Sequence, residues 1–83
     1  MRYIFMCRSL TYAQRAARVL ERGGITAVVG KAPQALSGSG CAYCVKLACA
    51  AGSRAAQILR KEKLLQGKIY LMSDDGSVRE VSL

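Results

Sequence analysis

Apolar and polar positions change their period several times along this chain, and each change predicts an element. Arg2 to Cys7 is rich in aromatic and branched residues between polar flanks, which predicts a strand. From Thr11 to Arg22, Ala13, Ala16, Ala17 and Leu20 fall at i, i+3, i+4 and i+7, the apolar stripe of a helix. Ser9 or Thr11 is placed to cap its start, and Gly23-Gly24 offers a left-handed stop at its end. Ile25 to Gly30 is β-rich and predicts a second strand. Lys31 to Gly40 reads as a loop, with Pro33 and the pliable Ser-Gly-Ser-Gly run from Ser37 to Gly40. Tyr43 to Cys49 then alternates: Tyr43, Val45, Leu47 and Cys49 on one side, Cys44, Lys46 and Ala48 on the other. That is a third strand. Ala55, Ile58, Leu59 and Leu65 predict a second helix from Ser53 to about Leu65, ending before Gly67. Lys68 to Met72 is a fourth strand. Asp74-Asp75-Gly76 signals a turn, after which Ser77 to Val81 folds back as a short fifth strand.

The order β-α-β-β-α-β predicts an α+β fold of ferredoxin-like topology, a mostly antiparallel four-stranded sheet with two helices on one face and the short fifth strand beside it. In this arrangement strands one and three are expected side by side and parallel. Cys7 and Cys49 would then share one end of the sheet, with Cys41 at the other. Residues 1–83 make one domain, since 83 residues leave no room for a second. With 52% apolar residues, one core needs no staples. An open sheet face carrying Ile4 and Met6 would favour a homodimer.

Charge and leader signals narrow the setting. The apolar run from Tyr3 to Cys7 is too short for a secretory signal, and the weakly charged stretch from Ala32 to Ala51 is broken by Pro33, serines, glycines and Lys46. The expectation is a cytoplasmic protein without a membrane segment, in which cysteines are rarely structural disulfides. The net charge is +8, and residues 1–70 hold twelve basic side chains against Glu21 and Glu62. A basic body suits an anionic partner (an acidic protein face, a small anion or, less well, nucleic acid), and a solvated basic surface explains the charge equally. Arg15, Arg18 and Arg22 form a stripe that could bind phosphates, but no interleaved aromatic platform accompanies it and a solvated helix face explains it better.

The candidate chemistry lies in thiols. There is no histidine, the body of the fold has no carboxylate pair, and Gly38-Ser39-Gly40 precedes a strand rather than a helix. Acid–base hydrolysis and nucleotide chemistry are therefore excluded as leading functions. Cys41-Ala42-Tyr43-Cys44 is the one spacing with a mechanism. Two intervening residues let the sulfurs converge on each other or on one metal ion, and one thiol of such a pair is often acidic enough to be a nucleophile. Lys46 and Lys31 are placed to support a thiolate. A Cys41 thiolate that attacks a persulfide takes its outer sulfur, and Cys44 can release that atom by closing a disulfide. Thioredoxin-type enzymes instead carry the pair at a helix start.

The other cysteines fit packing better: Cys7 and Cys49 are small apolar residues in strand positions. The pattern C-x33-C-x2-C-x4-C lacks the second knuckle of a zinc site and matches no common iron–sulfur spacing. No metal site and no cofactor is expected. Tyr43 reads as packing.

Three segments carry a family resemblance: Phe5-Met6-Cys7-Arg8-Ser9-Leu10-Thr11-Tyr12-Ala13-Gln14-Arg15, then Leu20-Glu21-Arg22-Gly23-Gly24-Ile25, then Pro33 with Ser39-Gly40-Cys41-Ala42-Tyr43-Cys44. Together they resemble the short bacterial selenium/sulfur carrier protein-like family over residues 2 to 72. That family's pattern is a strand, a helix ending before Gly-Ile, a proline, and a Gly-Cys-Gly-like step into another strand. Ala42 stands where its second glycine is expected, which narrows the backbone's freedom there. The resemblance implies a carrier of activated sulfur or selenium with Cys41 as acceptor, acting as a co-substrate of other enzymes. Its partners would be a cysteine desulfurase-like donor and a sulfur- or selenium-accepting protein, with Arg15, Arg18 and Lys46 guiding docking. Two other readings remain: a basic binding module with structural cysteines, and a dithiol redox switch.

Overall fold

A computed structural model describes residues 1–33, 36, 43–65 and 67–83. Cys41, Ala42 and the Ser37–Gly40 run lie outside the described residues. In chain order the elements are β1 (Arg2–Cys7), α1 (Leu10–Arg22), β2 (Ala27–Lys31), β3 (Tyr43–Ala48), a single 3-10 turn (Cys49–Ala51), α2 (Gly52–Lys61), β4 (Ile69–Met72) and β5 (Val78–Val81). They form an α+β structure whose five strands make an open antiparallel sheet in the order β2-β3-β1-β4-β5. No helix among the described residues is long and apolar enough to cross a membrane.

The helix ends follow from local chemistry. Ser9 caps α1 by accepting a hydrogen bond on Oγ from the Tyr12 amide, at 3.3 Å. At its other end Gly24 takes the left-handed conformation (φ +84°), its amide bonding to the Glu21 carbonyl and the Ile25 amide to the Leu20 carbonyl. Ile25 is therefore part of the helix stop, packed in the same cluster as Leu20, and β2 starts only at Ala27. Helix α2 stops in the same way but without a glycine. Lys63 takes φ +59°, and the Leu64 amide returns to the Leu59 carbonyl. The expected continuation to Leu65 is corrected by this turn: α2 ends at Lys61, and Leu64 stays buried because the turn, not a further helical turn, carries it inward.

Strand alternation splits the apolar residues between two clusters. Phe5, Cys7, Val45, Leu47 and Ile69 join Ala13, Ala16, Ala17 and Leu20 of α1 and Ala55, Ala56 and Leu59 of α2. On the other side Ile4, Met6 and Cys44 pack with Leu36, flanked by half-buried Tyr70, Met72 and Val78. Ile4 and Met6, expected on an open face, are in fact 0% and 2% exposed. Cross-strand neighbours and Leu36 cover them within the chain, so they offer nothing to a second copy. Gly67 closes over β1 so tightly that a Cβ there would lie 2.7 Å from the Met6 carbonyl oxygen.

The relation between β1 and β3 also corrects the expected topology. They are antiparallel, with Cys7 opposite Tyr43 and Arg2 opposite Ala48. β2 is antiparallel to β3 as well, so β1 and β2 run the same way with β3 between them. A chain that enters β1, crosses by one helix to β2 and then hairpins into β3 must arrive antiparallel to β1. Cys7 and Cys49 therefore do not meet. Cys49 follows the residue opposite Arg2, about 17 Å from Cys7 at the usual rise along a strand.

Candidate functional site

The thiol-bearing end of the sheet is where β1 finishes and β3 begins. Register places Cys7 opposite Tyr43, Met6 opposite Cys44, Gly30 opposite Cys44 and Lys31 opposite Tyr43. Cys7 is thus a cross-strand neighbour of the segment that carries the Cys-x-x-Cys spacing, a proximity that the parallel reading hid. The signal was present in the element order, because the crossover helix fixes the relative direction of β1 and β3.

Being adjacent in the sheet does not make these thiols face each other. Cys7 points into the cluster beneath the helices, where its Sγ donates to the Phe5 carbonyl oxygen at 3.6 Å. Cys44 points to the opposite side and packs against Ile4, Met6 and Leu36. Its Sγ donates to the Lys31 carbonyl oxygen at 3.6 Å. Only the protonated thiol can make that bond. Burial pushes the Cys44 thiol above its ordinary value, opposed by a smaller pull from the Lys46 ammonium. Cys44 is held as a thiol at neutral pH, and Lys31 serves it through its backbone rather than its charge.

The remaining candidates separate. Cys49 is an exposed free thiol at the far end of β3. Arg15 and Arg18 are exposed on α1, whereas Lys46 lies in β3 and, by alternation, shares the side of Cys44. The two arginines and the lysine therefore sit on different sides of the sheet. Tyr43 is half-buried and packs against the helix-side cluster. One aromatic accompanies the arginine stripe: the Arg15 guanidinium lies 5.7 Å from the centre of the Tyr12 ring. Sequence spacing held that signal, since residues 12 and 15 are neighbours on a helix surface. Among the described residues no group of three or more His, Cys, Asp or Glu is placed to hold a metal ion.

What this arrangement can do chemically is keep one thiol, Cys44, dry and protonated three residues after Cys41, the thiol the Gly-Cys step is expected to expose. Comparison with curated proteins and with solved structures gave no match. In a comparison with protein families, the family described as "Putative Se/S carrier protein-like" matches residues 2–71.

Proposed function

The chain belongs to this Se/S carrier family, and on that premise we propose that it carries activated sulfur or selenium on Cys41 in a reducing cytoplasm. The family match over residues 2–71 is the observation that carries the reading. The frame is read as ferredoxin-like, with both helices on one face and the fifth strand added at the edge.

In the proposed loading step the Cys41 thiolate attacks the outer sulfur of a persulfide held on a cysteine desulfurase-like donor. A sulfur–sulfur bond forms on Cys41, and the donor's cysteine leaves as a thiolate. An acceptor nucleophile then takes that outer atom and returns Cys41 to a thiolate. Where no acceptor is engaged, the Cys44 thiolate can attack the inner sulfur of the adduct. This makes a Cys41–Cys44 disulfide, expels hydrosulfide or hydroselenide, and requires a cellular dithiol to reset it.

Burial and the bond to the Lys31 carbonyl support a timing role for Cys44. A thiol attacks as its thiolate, so a protonated Cys44 leaves the adduct intact until the end of β3 is disturbed. The protein then acts as a co-substrate of other enzymes. The test is transfer of sulfur from a desulfurase through the chain to an acceptor, with Cys41→Ser expected to abolish transfer and Cys44→Ser to leave loading intact while changing release. Full transfer by Cys41→Ser would remove the reading.

A further inference from the structure

Cys44 is 0% exposed, and among the described residues its cover has a local source. In register it lies between Met6 of β1 and Gly30 of β2. Met6 shelters one flank. Gly30 has no side chain to shelter the other, and a Cβ built there would meet nothing within 4 Å. The chain just after β2 supplies the rest. Lys31 accepts the Sγ hydrogen bond on its carbonyl oxygen, Ala32 packs half-buried against the cluster, and Leu36, only 7% exposed, belongs to the cluster itself. The Leu36 amide donates to the Pro33 carbonyl at 2.8 Å, so one turn ties Leu36 to the end of β2. Ile4, Met6 and Cys44 reach this cluster from strands, whereas Leu36 reaches it from the connection between β2 and β3. That connection also carries Cys41, five residues further on in the sequence.

We propose that Leu36 is a positioning residue for release: its side chain keeps Cys44 dry and unreactive, and so sets how long a chalcogen stays on Cys41. The inference deepens the carrier reading above and rests on it. Keeping water from a sulfur disfavours its thiolate, and only the thiolate attacks. Lys46, two residues along β3, pulls the other way, but burial outweighs it. In the release step Cys44 gives its proton to water and its thiolate attacks the inner sulfur of the Cys41 adduct. The Cys41–Cys44 disulfide forms, the bond to the outer atom breaks, and that atom leaves with the electron pair as hydrosulfide or hydroselenide. Leu36 touches no reacting atom in this step and acts through Cys44. A leucine that merely fills the core would stabilise the chain without favouring one thiol over another.

The test uses the chain's own thiols as gauges. Cys7, 2% exposed in the cluster beneath the helices, reports opening of the whole fold, and exposed Cys49 gives the rate of an uncovered thiol. Alkylation mapping of the reduced, native chain gives the ratio of the Cys44 rate to the Cys7 rate in wild type, Leu36→Met, Leu36→Val and Leu36→Ala. The expected ratio is unchanged in Leu36→Met, raised in Leu36→Val, and raised about tenfold or more in Leu36→Ala. Where Leu36→Ala does not fold, Leu36→Val carries the same comparison. Each protein is then loaded anaerobically with a small-molecule polysulfide, the excess is removed, and hydrosulfide release is followed. Leu36→Ala should release its outer sulfur about tenfold faster than wild type, and adding Cys44→Ser should restore slow release.

A ratio unchanged in both smaller variants would overturn the inference, since Leu36 would then not be the cover. Cys44 and Cys7 rising together would overturn it as well, by showing that Leu36 supports the fold alone. Faster alkylation of Cys44 with release at the wild-type rate would remove the timing role and leave the carrier reading standing. So would fast release that persists in Leu36→Ala/Cys44→Ser. A wild type that takes no sulfur on Cys41 removes the carrier reading and this inference with it.

Discussion

Beneath the helices, Phe5, Cys7, Val45 and Leu47 share a cluster with buried residues of both α1 and α2. On the opposite side, Ile4, Met6 and Cys44 are covered by Leu36 and by half-buried Tyr70, Met72 and Val78. The same two strands supply both sets. One set packs against buried residues of α1 and α2, the other, among the described residues, against Leu36 and single strand side chains. The difference teaches how to read a Cys-x-x-Cys spacing. When the second cysteine lies inside a strand, the pleat chooses its direction, and sequence proximity to another thiol does not. Cys7 and Cys44 are close in register yet face away from each other, so each thiol answers to the chemistry of its own side.

The comparison can be broken most visibly through the cores. Phe5→Ala, under the helices, is expected to cost about 3–5 kcal/mol, a large share of the stability of so small a domain. Ile4→Ala, one residue away in the smaller cluster with Met6, Leu36 and Cys44, is expected to cost about 2 kcal/mol, at the low end for such a truncation. Denaturant midpoints of the two variants measure the gap. Equal losses would mean that the two sides are roofed equally well.

A smaller effect should follow pH. Burial raises the Cys44 thiol in the folded chain, so the folded state holds its proton at pH values where the unfolded chain has released it. The stability linked to Cys44 is therefore fully present below the unfolded thiol's value of about 8.5 and is lost as pH rises through the folded value. The slope from one proton cannot exceed about 1.4 kcal/mol per pH unit. Subtracting the stability profile of Cys44→Ala from that of wild type should isolate this decline above about pH 8.5. A difference profile that is flat there would show that Cys44 is not desolvated.

Much of the frame was legible from residue types. β1 matches the expected strand at both ends, and the apolar stripe of α1 is the stripe that packs. Two features were not. The end of α2 escaped because Leu64 and Leu65 extend the apolar pattern, while the actual stop rests on Lys63 entering the left-handed region, which lysine seldom signals. The direction of β3 relative to β1 was implied by the crossover but misread, and with it went the position of Cys7. At the site, alternation correctly separated Cys44 from Tyr43 and Val45. The covering of Cys44 by Leu36 was not readable, because Leu36 lies outside any strand pattern and meets Cys44 only in the folded chain. Lys31 looked like a charge for a thiolate. It acts through its carbonyl, a contact that side-chain chemistry does not announce.

The central claim is that Cys41 is the thiol that carries the chalcogen. Its most direct test is intact mass spectrometry with thiol-alkylation mapping. The sample is anaerobically purified protein incubated with a cysteine desulfurase and its substrate. The account predicts one added sulfur or selenium on Cys41, removable by reductant, with Cys44 unmodified and slow to alkylate. Four unmodified thiols, or an adduct confined to the exposed Cys49, would contradict it.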